Sequence, residues 1–396
     1  MSLSEAQLLE DVRQRFFSPL RSAHPHTVGV ELELIPVIEF SRKPALAAQT
    51  SAVISELART RSWTEKRNGS DPPSWELRDG GRISFEPGGQ LEISSRPQRT
   101  ATSLINTTRD LVLQLGEAMQ RVGIELLALG VDPYNDIGAV PLQLHRERYT
   151  GMTRYFDSIG PSGVRMMRQT AALQINLERG EEPLNRWLLL NAITPVVTAL
   201  FSNSTNYAGK RTNHASFRAH LWRTLDHSRT GIPYDERDPV RRYVDFALDA
   251  YAMRSGNGQQ NYLTFREWMA RGQIGLDEWS FHLSTLFPEV RPKEFFELRS
   301  ADTIAVKWLA APVLFVTSLV YDRESAQRAF EIVGTPSIDL LELAGIKGLA
   351  HPALRRMARA LADIALDGAE SLGPDYLSAD DVRTAAEFFD NVIPTT

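Results

Sequence analysis

The chain predicts an α+β fold: an antiparallel sheet flanked by helices, with a helical C-terminal region. Three features carry that expectation. Short stretches of alternating apolar and polar residues are separated by helical patterns and hairpin-like returns, the pattern after Asp302 is almost wholly helical, and there is no internal repeat or low-complexity tract. The expected organisation is one domain over residues 1–396, with residues 303–396 a helical subregion.

The first twenty residues mix acidic, basic and apolar groups, which reads as an amphipathic helix and not as a signal peptide. Residues 27–37 (TVGVELELIPV) then alternate, with Val30, Leu32 and Leu34 on one side and Glu31 and Glu33 on the other, the signature of a strand. A helix is expected over 41–61 and a turn-rich segment over 68–79. A second strand region, 83–94, is interrupted by Pro87-Gly88-Gly89, which cannot be regular ladder. Apolar residues at Leu104, Leu111, Leu115, Met119 and Val122 mark one face of a helix, followed by a third strand at 123–131. Further strands are expected at 169–177 and 294–300, and a long buried helix at 184–201. Between them, 203–235 is rich in Ser, Thr, Asn, Gly and Arg and reads as an active-site loop system. The most apolar stretch, 305–321, carries Lys307 and Pro312 and is too short to span a bilayer, so it reads as a buried helix.

Composition removes whole classes of function. With 44 Lys+Arg against 49 Asp+Glu, the net charge of −5 recruits neither nucleic acid nor an anionic membrane, so small-molecule ligands in the cytoplasm are the expectation. There is no cysteine, which excludes disulfides, thiolate metal sites and thiol nucleophiles, and leaves carboxylates and eight histidines as metal ligands. No H-E-x-x-H, no P-loop, no G-x-G-x-x-G after a strand and no G-x-S-x-G elbow occurs.

Glu31 and Glu33 sit two apart on a strand, so both carboxylates leave the same face. Alone, that pair is equally a wet sheet face. The same even spacing recurs, however: Glu86 and Glu92 with Gln90 between them, Gln174 with Asn176, and Glu297 with Arg299. A sheet that gathers these strands makes one acidic, oxygen-rich face, and hard oxygen donors without cysteine suit Mg²⁺ or Mn²⁺. Divalent ions held by glutamates are what phosphoryl transfer from ATP requires. Arg299 could clamp a phosphate or carboxylate, or simply pair with Glu297. Arg218 and Arg229 could bind substrate carboxylate or phosphate, or cap a solvated helix end. Trp222 reads as core or pocket wall. The Pro87-Gly88-Gly89 break either brings backbone to a ligand, bends the strand so that Glu86 and Glu92 converge, or is a plain turn.

Glu31-Leu32-Glu33, the segment from Ser84 to Glu92 (SFEPGGQLE), Met166-Met167-Arg168 with Leu173 to Leu177 (LQINL), Leu200 to Ser204 (LFSNS), Phe217 to Trp222 (FRAHLW), Asp226 to Gly231 (DHSRTG) and His282 to Asp302 together resemble the plant-type glutamate–cysteine ligases, in that family's order over roughly residues 25–305. The resemblance implies a glutamine-synthetase-like funnel of antiparallel strands that binds two or three Mg²⁺, ATP and glutamate. It implies that ATP phosphorylates the γ-carboxylate of glutamate and that the amine of cysteine attacks the acyl phosphate. By matching position it implies Glu31, Glu33, Glu86, Glu92, Gln174 and Glu297 as the metal shell, and Arg299, with Glu297, at the reacting phosphate. Arg218, Arg229 and Gln90 become substrate contacts. The plant enzymes' regulatory cysteines have no counterpart here, so disulfide control is not carried over. The resemblance extends to the actinobacterial branch that supplies γ-glutamylcysteine for ergothioneine. A related carboxylate–amine ligase with another acceptor amine, or a non-catalytic binding protein on the same scaffold, are the rival readings.

Overall fold

One long strand organises the molecule, because it holds hydrogen-bonded neighbours on both sides and then changes partner along its length. The structure, a computed structural model, describes residues 3–235, 237–256, 262–272 and 274–394. Strand β1 (Val28–Ile38) is followed by β2 (Thr64–Lys66), β3 (Ser74–Glu76), β4 (Arg82–Phe85), β5 (Leu91–Ser94), β6 (Ile124–Leu127) and β7 (Ala172–Glu178). β8 (Asn206–Tyr207) and β9 (Lys210–Arg211) form a small ribbon, and β10 (Thr230–Gly231) pairs with β11 (Phe287–Pro288). β12 (Val290–Pro292) and β13 (Phe295–Asp302) return to the main sheet. Its order is β12-β13-β7-β1-β5-β4-β3-β2, with β6 added to the far end of β1. Every pairing in this sheet is antiparallel. Pro36, which cannot donate to a ladder, falls where β1 has left β5 and β7 and meets only β6.

The two faces of this sheet have opposite chemistry, as alternation requires. Val30, Leu32 and Leu34 of β1, Leu91 and Ile93 of β5, Leu173, Ile175 and Leu177 of β7 and Phe296 and Leu298 of β13 belong to one buried apolar cluster. Most of the helices cover that face, and others stand over the opposite one. The early ones are α1 (Glu5–Phe16), α2 (Ala47–Arg61) and α3 (Ala101–Gln120), followed by α4 (Glu147–Ile159), α5 (Pro161–Gln169) and α6 (Pro183–Leu200). The central ones are α7 (Phe217–Leu225), α8 (Pro239–Asp249), α9 (Phe265–Arg271) and α10 (Leu276–Ser284). The last five are α11 (Ala310–Tyr321), α12 (Arg323–Val333), α13 (Ile338–Lys347), α14 (Pro352–Leu372) and α15 (Ala379–Val392). All twelve residues of α11 are buried, and they share the cluster with α3, α6, α14 and α15. The helical end of the chain therefore packs into the same core as the sheet. Among the described residues no helix is long and apolar enough to cross a membrane.

Several expected elements have different bounds. The helix expected from residue 41 begins at Ala47, because Pro44 excludes the preceding turn and Arg42 adopts a left-handed φ of 57°. The turn-rich segment contains β3, and the strand expected to 131 stops at Leu127. The loop system at 203–235 contains α7, whose cap Ser216 accepts from the Ala219 N–H. Helices α4 and α5 were not foreseen; Gly160 and Pro161 divide them and shorten each amphipathic pattern.

Candidate active site

The face of the sheet opposite the core lines a cavity of about 440 Å³. Register, and not proximity in sequence, assembles its carboxylates. Glu33 lies directly across from Glu92, Glu31 across from Gln174, and Glu297 across from Asn176. Glu31, Glu33, Glu86 and Glu92 all line the cavity. Glu33 accepts from the Ala172 N–H at 2.8 Å and from the Gln174 amide at 2.9 Å. Ser84 and Ser94 each donate to Glu92 Oε1, at 2.8 and 3.1 Å.

The Pro87-Gly88-Gly89 break is a hairpin turn between β4 and β5. Gly89, at φ +91°, donates to the Glu86 carbonyl at 2.8 Å, and Glu86 N–H donates to Gln90 at 2.8 Å. Its close backbone approach is to the chain itself: a Cβ at Gly88 would stand 2.0 Å from the Arg168 carbonyl oxygen of α5. Gln90 cements that contact, accepting from Gly88 N–H and donating to the Thr170 carbonyl at 2.8 Å. Both ends of its amide are engaged, so Gln90 is framework and not the substrate contact expected of it.

The cations come from two other elements. Arg299 of β13 donates to Gln174 Oε1 at 2.8 Å and to Glu297. Arg218 of α7 donates to the Arg299 carbonyl at 2.7 Å and stands 3.8 Å from Asp302. Both are buried, both line the cavity, and each keeps a buried Nε with no partner in the protein. Glu297 is fully buried; Lys293 and Arg299 occupy its two oxygens and Arg291 lies 3.4 Å away. In this arrangement Gln174 Oε1 and one oxygen of Glu297, both expected in a metal shell, brace Arg299, and the other Glu297 oxygen accepts from Lys293. Arg229 departs further. It does not line the cavity, and its guanidinium donates to Asp226, Thr285 and Tyr251 at 2.6, 3.1 and 2.6 Å. Its D-x-x-R pairing builds the fold: all three guanidinium nitrogens are engaged within the protein and the side chain is fully buried.

Burial divides the charges. It pushes Glu31 up to about 7, with Glu297 and Glu92 adding repulsion, and Glu33 up to about 7, with Glu92 adding to it. Burial and the nearby Glu92 and Glu33 also raise Glu86 well above the ordinary carboxylate range. Glu297 moves the other way: burial would raise it, but Arg299, Arg291 and Lys293 together hold it at about 2. Burial lowers Arg291 to about 10. Among the described residues no three His, Asp or Glu side chains stand as a ready ion cage. The donor set nonetheless fits a hard cation chemically, since the oxygens of four glutamates line one cavity.

Sequence reasoning missed Arg148, Arg291, Lys293 and Tyr149 on the cavity wall, and the apolar wall of Met152, Met166, Met167 and Phe287. Arg291 and Lys293 carried a signal: residues 291, 293, 297 and 299 keep the even spacing, and Arg291 pairs across the strands with Glu297.

The profile of Glutamate-cysteine ligase family 2 (GCS2) matches residues 27–355. The chain belongs to that family. This family 2 member is 30% identical over 372 residues to the chloroplastic glutamate–cysteine ligase of Medicago truncatula, covering 87% of this chain and 72% of that protein. To the chloroplastic glutamate–cysteine ligase of Brassica juncea it is 29% identical over 392 residues, 92% of this chain and 75% of that one. Among solved structures, the glutamate–cysteine ligase of Francisella tularensis in complex with AMP resembles it with a TM-score of 0.54 at 12% identity, over 92% of this chain and 82% of that chain. At that identity the likeness is one of fold, the glutamine-synthetase-like antiparallel sheet with flanking helices. As a family 2 member the protein is an enzyme of the carboxylate–amine ligase type.

Proposed function

We propose that this protein is a cytoplasmic glutamate–cysteine ligase that uses ATP to join the γ-carboxylate of glutamate to the amine of cysteine. The observation that carries the reading is the meeting, in one buried cavity, of a carboxylate face with two arginines that keep unpartnered donors. Two charges of the substrate's kind, a carboxylate to be activated and the phosphates that activate it, find opposite partners there. A reducing compartment keeps the acceptor cysteine as a thiol, which accords with a cytoplasmic setting.

Glu31, Glu33, Glu86 and Glu92 would hold two or three Mg²⁺ ions, or Mn²⁺. Such ions, when bound, would neutralise the phosphate charge of the nucleotide. Arg218, whose guanidinium lines the cavity, binds and orients a carboxylate. Arg299, fixed by Glu297 and Gln174, presents a charge toward the transferring phosphoryl oxygens. The Met152, Met166 and Phe287 wall excludes water, so that the activated carboxyl meets an amine before it meets hydroxide.

The decisive measurement is ADP release with glutamate and a panel of amines, with the product identified by mass. γ-Glutamylcysteine as the preferred product is expected. Turnover with 2-aminobutyrate or other amines but not cysteine would establish the rival carboxylate–amine ligase, and no turnover with any pair would establish a binding protein. Supply of the product to ergothioneine synthesis, which the resemblance to the actinobacterial branch supports, is tested separately by deleting the gene and measuring cellular ergothioneine.

A further inference from the structure

Arg218 and Arg299 come from different elements, carry the same charge and are both withdrawn from water. Hydrogen bonds hold each at one nitrogen only: Arg299 through Nη1, to Gln174 and Glu297, and Arg218 through Nη2. Each Nε is unpartnered and buried, Arg218 is 3.8 Å from Asp302, and the Arg218 Nη2 donates to the Arg299 backbone, not to its side chain. One side chain meets both. The Cζ atoms of Arg218 and Arg299 lie 5.0 and 5.2 Å from the centre of the Trp222 ring. Trp222 follows Arg218 by one turn of α7, so helix geometry places the indole beside it. The indole is itself fixed. Its Nε1–H donates to the Phe287 carbonyl at 3.1 Å, and its edge meets the Phe287 ring at 5.6 Å and 72°.

We infer that Trp222 is a positioning residue whose ring sets both cavity arginines for the anionic groups of the substrates; this rests on the ligase reading above. The quadrupole of an indole attracts a guanidinium, and the attraction grows when water is removed. A single aromatic ring thus supplies to two like charges part of what hydration would otherwise supply, and arriving anions meet donors already ordered. The Arg229 site is the internal contrast. Arg229 also lies over a ring, that of Tyr155 at 4.6 Å, but hydrogen bonds to Asp226, Thr285 and Tyr251 already set its plane. There hydrogen bonds reach all three guanidinium nitrogens; at Trp222 the ring adds to arginines whose Nε atoms they leave unpartnered.

The test replaces Trp222 alone with mono-, di- and trifluorotryptophan by suppressor incorporation, which drains electron density from the ring while nearly preserving its shape. Expected is a stepwise fall in kcat/KM for glutamate that follows the ring's cation affinity, roughly tenfold across the series, with the melting temperature little changed. A flat series overturns the inference. Trp222→Phe is expected to retain more activity than Trp222→Leu, and equal losses in the two count against it. A substrate-free readout separates this from the ligase reading: the ¹⁹F resonance of a single 5-fluorotryptophan at 222 is expected to shift on Arg218→Met and again on Arg299→Met, and unshifted resonances overturn the inference. If turnover is found with a carboxylate and amine other than glutamate and cysteine, the ligase assignment fails while the resonance and the fluorine series on that turnover still judge Trp222.

Discussion

Glutamates at the two ends of one sheet face meet opposite fates. At the β13 end Glu297 is outnumbered, with Arg299, Arg291 and Lys293 around it, and it stays ionised far below the ordinary range, at about 2. Toward β1 and β5 the carboxylates outnumber their cations, and burial with mutual repulsion raises Glu31 and Glu33 to about 7 and Glu86 well above its usual range. Residue type is the same in both places, and Glu31, Glu33, Glu92 and Glu297 all stand on strands. What differs is which charges the neighbouring strands bring alongside. One end is a finished brace that aims an arginine; the other gathers repulsion that, on the proposed reading, a cation would relieve.

Removing the anion of the finished end is expected to have the largest effect. Glu297→Gln leaves three cations together in a buried site, so unfolding in urea is expected to show a loss of about 3–5 kcal/mol, and turnover to fall by roughly 10²-fold or more as Arg299 loses its brace. Near-normal stability and turnover would erase the distinction between the two ends. Arg229→Met comes next. It breaks a buried pair with Asp226 and is expected to cost about 3 kcal/mol in the same urea titration, while KM for glutamate, per folded enzyme, stays within about twofold. A large rise in KM would return Arg229 to the substrate site.

The opposite end is expected to respond to pH with the opposite sign, and more weakly. Without divalent ions, Glu31 and Glu33 hold their protons to about pH 7 in the folded state and to about 4.5 unfolded, so the stability they contribute is present below pH 4.5 and lost as pH rises through 7. Metal-free protein is therefore expected to melt a few degrees lower at pH 8 than at pH 6, on the order of 1–2 kcal/mol. Glu31→Gln with Glu33→Gln is expected to flatten that slope and to abolish most turnover. A steeper slope in the double variant would refute the account. The smallest effect is local: Gly88→Ala must push the hairpin off the Arg168 carbonyl, and a loss of about 1–3 kcal/mol is expected in thermal melts.

The strands that bear Glu31, Glu33, Gln174 and Glu297 are legible in the sequence because a period of two survives without knowledge of partners. Which carboxylate faces which is not legible, since the Glu33–Glu92 and Arg291–Glu297 pairs depend on register between segments dozens of residues apart or across a turn. Arginines were harder still. Nothing in the isolated segments 217–222 and 226–231 separates Arg218, whose Nε is unpartnered, from Arg229, whose three nitrogens are all engaged; only the carbonyls of Thr285 and Tyr251, contributed from elsewhere, do so. The role of Trp222 is invisible for the same reason, because Arg299 of β13 and Phe287 of β11, both of which it touches, lie far along the chain.

The Arg229 knot bears on how this lineage ages. Asp226, Tyr155, Tyr251 and Thr285 converge on one guanidinium from four places in the chain, so selection for folding alone holds that arginine in place. A duplicated copy that abandons the chemistry is free to lose Arg218 or Arg299 and keeps Arg229 as long as it folds. Whether a distant copy still makes a peptide bond is therefore to be judged at Arg218, Trp222 and Arg299, and a match at Asp226 to Gly231 dates the ancestry without vouching for the trade.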